Sequence, residues 1–215
     1  MESAVTTRPR LEARRQAFLE AATAVFLEKG YANTTLDDII ARSGGSRQTL
    51  YTLFGGKQGL FAALVAERTS QIFNSWEEDG NLLGRPPEQV LVEVGTRYLE
   101  AITTSDALGV YRLVVAECRF MKELAEEFWE RGPSRSRALL AAYFAHQVER
   151  GTLLLEDPER AAHQFWGMLL GNLHMQCLLG LRPAPNRTEI EAYVRTAVAR
   201  FLDGCRKKNP PPSDR

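Results

Sequence analysis

Between residues 35 and 57 the chain gathers hydroxyl, amide and basic side chains: Thr35, Ser46, Arg47, Gln48, Thr49, Tyr51, Thr52 and Lys57. No nucleophile stands beside a base here, so the set suits recognition rather than bond-making. An arginine can donate two hydrogen bonds to guanine, and a glutamine can pair with adenine. Hydroxyls and helix N-termini suit phosphate, because unpaired N–H groups and the helix dipole favour anions. These residue types therefore point to duplex DNA, provided a rigid element presents them outward.

The surrounding sequence supplies such an element. Thr35 is a helix N-cap and Asp38, three residues on, completes a capping-box pattern. Leu36, Ile39 and Ile40 give that short helix an apolar side, and Gly44-Gly45 allows a sharp turn. Ser46 then caps a second short helix, with Leu50, Leu53 and Phe54 on one side and Arg47, Gln48, Tyr51 and Thr52 on the other. Gly55-Gly56 ends it. A preceding helix over 11–29 buries Phe18, Ala21, Ala22, Val25 and Phe26 and stops at Gly30. A longer helix follows over 57–78. A capped helix, a glycine turn and a second capped helix with a polar flank form the helix-turn-helix plan.

The run Gly30-Tyr31, Thr34-Thr35, Asp38-Ile39, Ala41, Gly44, Ser46, Thr49-Leu50-Tyr51, Phe54, Lys57 and Leu60 resembles the signature of the tetracycline-repressor (TetR) family. Leu113 to Glu117, Leu124 to Phe128 and Glu130 to Pro133 look like the C-terminal domain of its AefR-like subgroup. The resemblance implies an all-α homodimer with an N-terminal DNA-binding domain and a C-terminal helical domain for dimerisation and a small-molecule effector. It implies that Thr35 and Tyr51 contact phosphate and that Lys57 anchors the fourth helix on the DNA backbone. Arg8, Arg10 and Arg14 are read as a basic arm. Three departures stand out: Gly45 where Val or Met is usual, Leu53 where His or Tyr is common, and Gly56 for a usual Ser. They leave open a second reading, a degenerate regulator that acts through protein contacts without DNA.

The rest of the chain is consistent with helices over 88–103, 106–120, 122–131, 134–150, 157–179 and 188–204, the last with Thr188 and Glu191 as a second capping box. Alternating β-branched runs are missing. The expected domains are 1–56 for DNA, 57–204 for regulation and dimerisation, and a disordered tail over 205–215. The helix over 157–179 is apolar on more than one side, so a partner should cover it. Phe165, Leu169, Leu173, Val194, Val198 and Phe201 are the expected dimer interface, a four-helix contact across a two-fold axis. Such a dimer should read an inverted-repeat operator. Trp76, Tyr98, Tyr111, Phe120, Phe128, Tyr143, His163 and Trp166 are the aromatic candidates for an effector pocket. Few charges lie on those faces, which suggests a small, largely apolar effector that releases a repressor from DNA.

Charge and composition set the remaining bounds. Lys plus Arg and Asp plus Glu balance at 27 each, but residues 1–60 carry eight basic against six acidic groups. Cys118, Cys177 and Cys205 lack metal or disulfide spacing, and the three histidines do not cluster. No cofactor, metal or catalytic constellation is expected, so the chain is read as a regulator and not an enzyme. No apolar run is long enough to span a membrane and no secretion signal is evident, so a cytoplasmic protein is expected.

Overall fold

The computed structural model describes residues 7–78, 82–119 and 122–205, with side chains placed over 10–67, 82–119 and 122–205. Among these residues every regular element is helical. The helices are α1 (Thr7–Lys29), α2 (Leu36–Ser43), α3 (Arg47–Phe54), α4 (Lys57–Glu78), α5 (Pro87–Ile102), α6 (Ser105–Glu117), α7 (Lys122–Trp129), α8 (Arg135–Glu149), α9 (Pro158–Leu170), α10 (Asn172–Leu178) and α11 (Arg187–Cys205). No helix among the described residues is long and apolar enough to cross a membrane. Of the expected tail over 205–215, Cys205 is the buried last residue of α11, and 206–215 lies outside the described residues.

The chain divides into two compact units, 1–70 with 105–133, and 71–104 with 134–215. The expected boundary after residue 56 is therefore not where the chain separates. The first unit has its own core. Phe18, Ala22, Val25 and Phe26 of α1 meet Ile39 of α2, Leu50 of α3 and Leu60, Phe61 and Leu64 of α4. Val110, Leu113 and Val114 of α6 and Leu124 of α7 join the same cluster. Short helices such as α2 and α3 are marginal in isolation, so this shared burial is what holds them. Phe26, Tyr31 and Phe61 pack ring against ring with centroids 5.3 to 5.9 Å apart.

The second unit is a helical layer around another core. Phe144 of α8, Phe165 and Trp166 of α9 and Phe201 of α11 interlock with Val90, Val94, Tyr98 and Leu99 of α5. Asp157 caps α9, its carboxylate accepting from the Arg160 N–H at 2.9 Å, with Pro158 in the first turn. Two details differ from expectation. The helix expected over 157–179 breaks at Gly171, whose ψ of −123° interrupts the backbone ladder between α9 and α10. Helix α11 is capped by Asn186, which accepts from Glu189 N–H at 3.0 Å, so Thr188 lies inside the helix rather than at its cap. Between α7 and α8 a wide π-turn over Glu130–Ser134 contains Pro133, which has no N–H to continue an ordinary helix.

His174 of α10 is buried in this unit, and burial holds its imidazole below the ordinary value. The unfolded chain therefore takes up a proton first as pH falls, so stability is lost below about pH 6.5. Thermal melting between pH 7.5 and 5.5 should show this loss, and His174→Gln should flatten it.

Candidate nucleic-acid interface

The interface begins at the turn between α1 and α2. Gly30 ends α1 with a φ of +78°, and Tyr31 turns inward to be 1% exposed. Thr34 then bonds its hydroxyl to the Gly30 carbonyl at 2.7 Å. Thr35 and Asp38 form the complete capping box, with Asp38 N–H to Thr35 Oγ1 at 3.2 Å and Thr35 N–H to Asp38 Oδ2 at 2.9 Å. Lys29 adds a 2.6 Å ion pair to Asp38. Hydrogen bonds from Lys29 and Thr35 hold the Asp38 carboxyl well below the usual range.

Lys57 closes this turn from the other side. Its Nζ donates to the carbonyls of Tyr31 and Thr34 at 2.9 Å and of Ala32 at 3.4 Å, and it sits 4.6 Å from the Tyr31 ring centre. Burial pushes the ammonium below its ordinary pKa, and the charge of Glu117 at the end of α6 partly opposes that. All three ammonium donors are thus committed inside the unit. An ammonium has three protons, and all three reach carbonyls of this turn, where the resemblance implied a contact with the DNA backbone.

The α2–α3 turn accounts for the first departure. Gly45 has a φ of +100°, and a Cβ there would stand 3.1 Å from Cζ of Phe18 and 3.4 Å from the Arg14 guanidinium. Arg14 also donates to the Ser43 carbonyl at 3.3 Å. Phe18 and Arg14 thus take the space a larger turn residue would fill, and Arg14 braces the turn rather than extending as part of an arm. The side chain of Arg8 lies outside the described residues, and Arg10 is exposed.

Helix α3 is held from behind and open in front. Leu50 is fully buried, Leu53 and Phe54 are half-buried, and Phe54 meets Phe18 edge to face at 6.1 Å. Ser46 caps it by accepting from Thr49 N–H at 3.1 Å, and the two hydroxyls bond each other at 2.8 Å. Arg47, Gln48, Tyr51 and Thr52 are exposed together, Tyr51 by 50%. Thr52 bonds its hydroxyl back to the Gln48 carbonyl at 2.9 Å. Arg47 donates through Nη2 to Asp37 Oδ2 at 2.6 Å, and that bond raises its pKa above the ordinary value. Asp37 was absent from the sequence-derived set; its distance of ten residues from Arg47 gives no local signal.

The other expected sites fare differently. Tyr98, Tyr143 and Trp166 are buried in the second unit. Tyr98 and Trp166 rings lie 4.3 Å apart, Trp166 Nε1 donates to the Ser136 carbonyl at 3.2 Å, and Tyr143 donates to the Arg85 carbonyl at 3.2 Å. Burial pushes the Tyr143 hydroxyl up to about 12. His163 of α9 faces solvent. Tyr111 and Phe128 pair edge to face at 5.6 Å in the first unit. The side chain of Trp76 and all of Phe120 lie outside the described residues. Among the described candidates, Tyr98, Tyr143 and Trp166 thus belong to one unit's core and Tyr111 and Phe128 to the other unit.

The six side chains expected at a dimer interface, Phe165, Leu169, Leu173, Val194, Val198 and Phe201, are all at most 7% exposed inside the chain's own core. Apolar residues that face their own domain are unavailable to a partner. The outer faces of the same helices carry Gly167, Met168, Gly171, Met175, Ala192, Thr196 and Ala199 instead.

A capped helix pair with an outward polar flank on its second helix defines a helix-turn-helix DNA-binding protein. Residues 18–64 match the bacterial regulatory proteins of the tetR family, and residues 89–204 match the AefR-like transcriptional repressor C-terminal domain. The chain belongs to the TetR family of transcriptional regulators, with an AefR-like C-terminal domain. It is similar to the transcriptional repressor AcnR of Corynebacterium efficiens, 24% identical over 86% of this chain and 93% of that one. It also resembles the solved structure of a TetR-family regulator of Mesorhizobium loti, with TM-score 0.77 and 28% identity over 92% of this chain and 98% of the other. The flavonoid-responsive regulator FrrA matches at TM-score 0.71 and 26% identity over 91% and 98%. The protein is a DNA-binding transcriptional repressor and not an enzyme. Members of the family bind DNA and small-molecule effectors and act as dimers.

Proposed function

We propose that this repressor binds an inverted-repeat operator as a homodimer, reads bases with Arg47 and Gln48, and leaves DNA when a small effector binds. The outward flank of α3 carries the reading: four polar side chains share it while Leu50 holds it from behind. A groove-reading helix needs fixed side-chain directions, and a fully buried leucine gives them. Tyr51, Thr35 and the Ser46 and Thr49 hydroxyls are assigned to phosphate, which fixes register without reading sequence. Lys57 is assigned to shaping the turn.

For the subunit contact, the small and apolar outer residues of α9, α10 and α11, Gly167, Met168, Met175, Ala192, Thr196 and Ala199, support a close helix–helix approach. For signalling, α6 and α7 share a core with α1–α4, so an effector-driven shift of α6 would be felt by the DNA-reading helices directly.

The effector is assigned to a small, largely apolar class. The relative described as flavonoid-responsive supports that class. A groove of about 690 Å³ between α5 and α11 is lined by Arg85, Arg97, Arg187 and Arg195 with Glu88, Glu93 and Glu191. Its charges are largely compensated, because Arg85 and Arg97 pair with Glu93 and Arg187 pairs with Glu191, so it gives no second effector class.

The test is a shift of labelled upstream DNA by the purified protein. Arg47→Ala with Gln48→Ala should reduce specific binding at least about a hundredfold, since each base pairing contributes about 1–3 kcal/mol of discrimination. Unchanged binding by that variant would move base reading to other side chains, and no shift by the unaltered protein at low salt would move the reading to the DNA-independent regulator.

A further inference from the structure

The basic side chains around the helix pair are mostly occupied. Arg15 pairs with Glu67 at 3.0 Å, Lys29 with Asp38 at 2.6 Å, and Arg42 with Glu28. Arg14 donates to the Ser43 carbonyl, and Lys57 gives its three protons to the turn before α2. Helix α3 itself holds one cation, Arg47. That cation is bound to Asp37 although both are largely exposed, Arg47 by 57% and Asp37 by 72%.

An exposed pair of this kind contributes little to folding. Its consequence lies at the surface that would face DNA. A bare arginine is drawn to any phosphate, because the backbone attraction is independent of sequence. An arginine tied to a carboxylate is not, because the pair is neutral and the carboxylate repels phosphate. A guanidinium has five donors in a fixed plane. Holding Nη2 against Asp37 fixes the direction of that plane and leaves other N–H groups for the two acceptors of guanine. We infer that Asp37 is a specificity-determining residue: it holds Arg47 away from phosphate and orients it for guanine, suppressing binding to unrelated DNA.

This rests on the reading of α3 as the base-reading helix, and the experiment separates the two. In vitro selection with the intact protein first yields a preferred duplex. Positions where Arg47→Ala relaxes base choice mark the guanine. Binding is then measured for that duplex, for one with this guanine pair replaced by A·T, and for an unrelated duplex, between 50 and 200 mM salt.

Asp37→Asn should bind the unrelated duplex about tenfold more tightly at the low-salt end, with a log–log salt slope steeper by about two, one per subunit of the proposed dimer. Its preference for guanine over the replacement should fall about tenfold. Asp37→Glu should keep part of the preference, and Asp37→Asn should change it no further in an Arg47→Ala background. Circular dichroism melting checks that each variant is folded. An unchanged slope and preference in folded Asp37→Asn would overturn the inference while leaving the helix assignment intact, provided Arg47→Ala does lose base choice. If Arg47→Ala keeps full choice at every position, the base-reading role of Arg47 fails, and the role of Asp37 fails with it.

Discussion

Lys57→Met is expected to lower the stability of the DNA-reading unit by about 3 kcal/mol. Methionine keeps the length and the apolar stem but has no proton to donate. The carbonyls of Tyr31, Ala32 and Thr34, which Lys57 now joins, would all lose that donor. A hydrogen bond to a charged group contributes about 1.5–3 kcal/mol, and partial exposure of the site keeps the total well below three times that. Denaturant unfolding checks the size. Lys57→Arg should recover only part of the loss, because a planar fork does not fit a cradle made for a point charge.

The same variant separates two roles for this lysine. As a phosphate anchor, its loss would leave stability nearly unchanged and reduce the salt slope of DNA binding by about two, one per subunit of the proposed dimer. As the clasp of the α1–α2 turn, its loss should leave the slope unchanged at salt and temperature where the variant is folded. The geometry favours the clasp. The ammonium ties the first residues of α4 to the turn that starts α2, so one side chain links three of the four helices around the base-reading surface.

How far these features were legible depends on the range of the interaction that makes them. The Thr35–Asp38 box and the Ser46 cap are bonds across three residues, so their chemistry is written locally. Gly30, Gly44 and Gly55 mark helix ends where φ is positive, again a local demand. The apolar stripe of Leu50, Leu53 and Phe54 gave the inner side of α3 by period alone. By contrast, the acceptors of Lys57 lie 23 to 26 residues away, and nothing near Lys57 announces them. Phe165, Leu169 and Phe201 look alike whether they face a partner or their own core, because hydrophobicity records burial and not by what. The same ambiguity applies to the aromatic effector candidates, since Tyr98 and Trp166 pack in one core and Tyr111 and Phe128 pair in the other unit. Gly171 breaks its helix and Gly167 does not, although both are glycines in one apolar run. Tertiary packing makes that choice.

A second large effect is expected from the smallest side-chain addition, Gly59→Ala. A Cβ at Gly59 would lie 1.8 Å from the carbonyl oxygen of Phe54 and 3.0 Å from its carbon. The obstacle is backbone, so no rotamer change relieves it. The C-terminal end of α3 rests directly on the first turn of α4, and only glycine permits that approach. Relief requires α3 to lift or tilt by roughly an ångström or more, which costs about 1–3 kcal/mol of stability. A recognition helix displaced by that amount misaligns Arg47 and Gln48 together, so specific DNA affinity should fall by at least about tenfold. Gly55→Ala supplies the contrast. Its φ of +73° strains an alanine by about 1 kcal/mol, yet a Cβ there meets nothing within 4 Å. That variant should lose stability while the folded fraction binds DNA normally. Titration of both against the selected duplex at matched folded fraction decides the matter. Normal affinity for Gly59→Ala would mean that the α3–α4 contact does not set the pose of the base-reading helix.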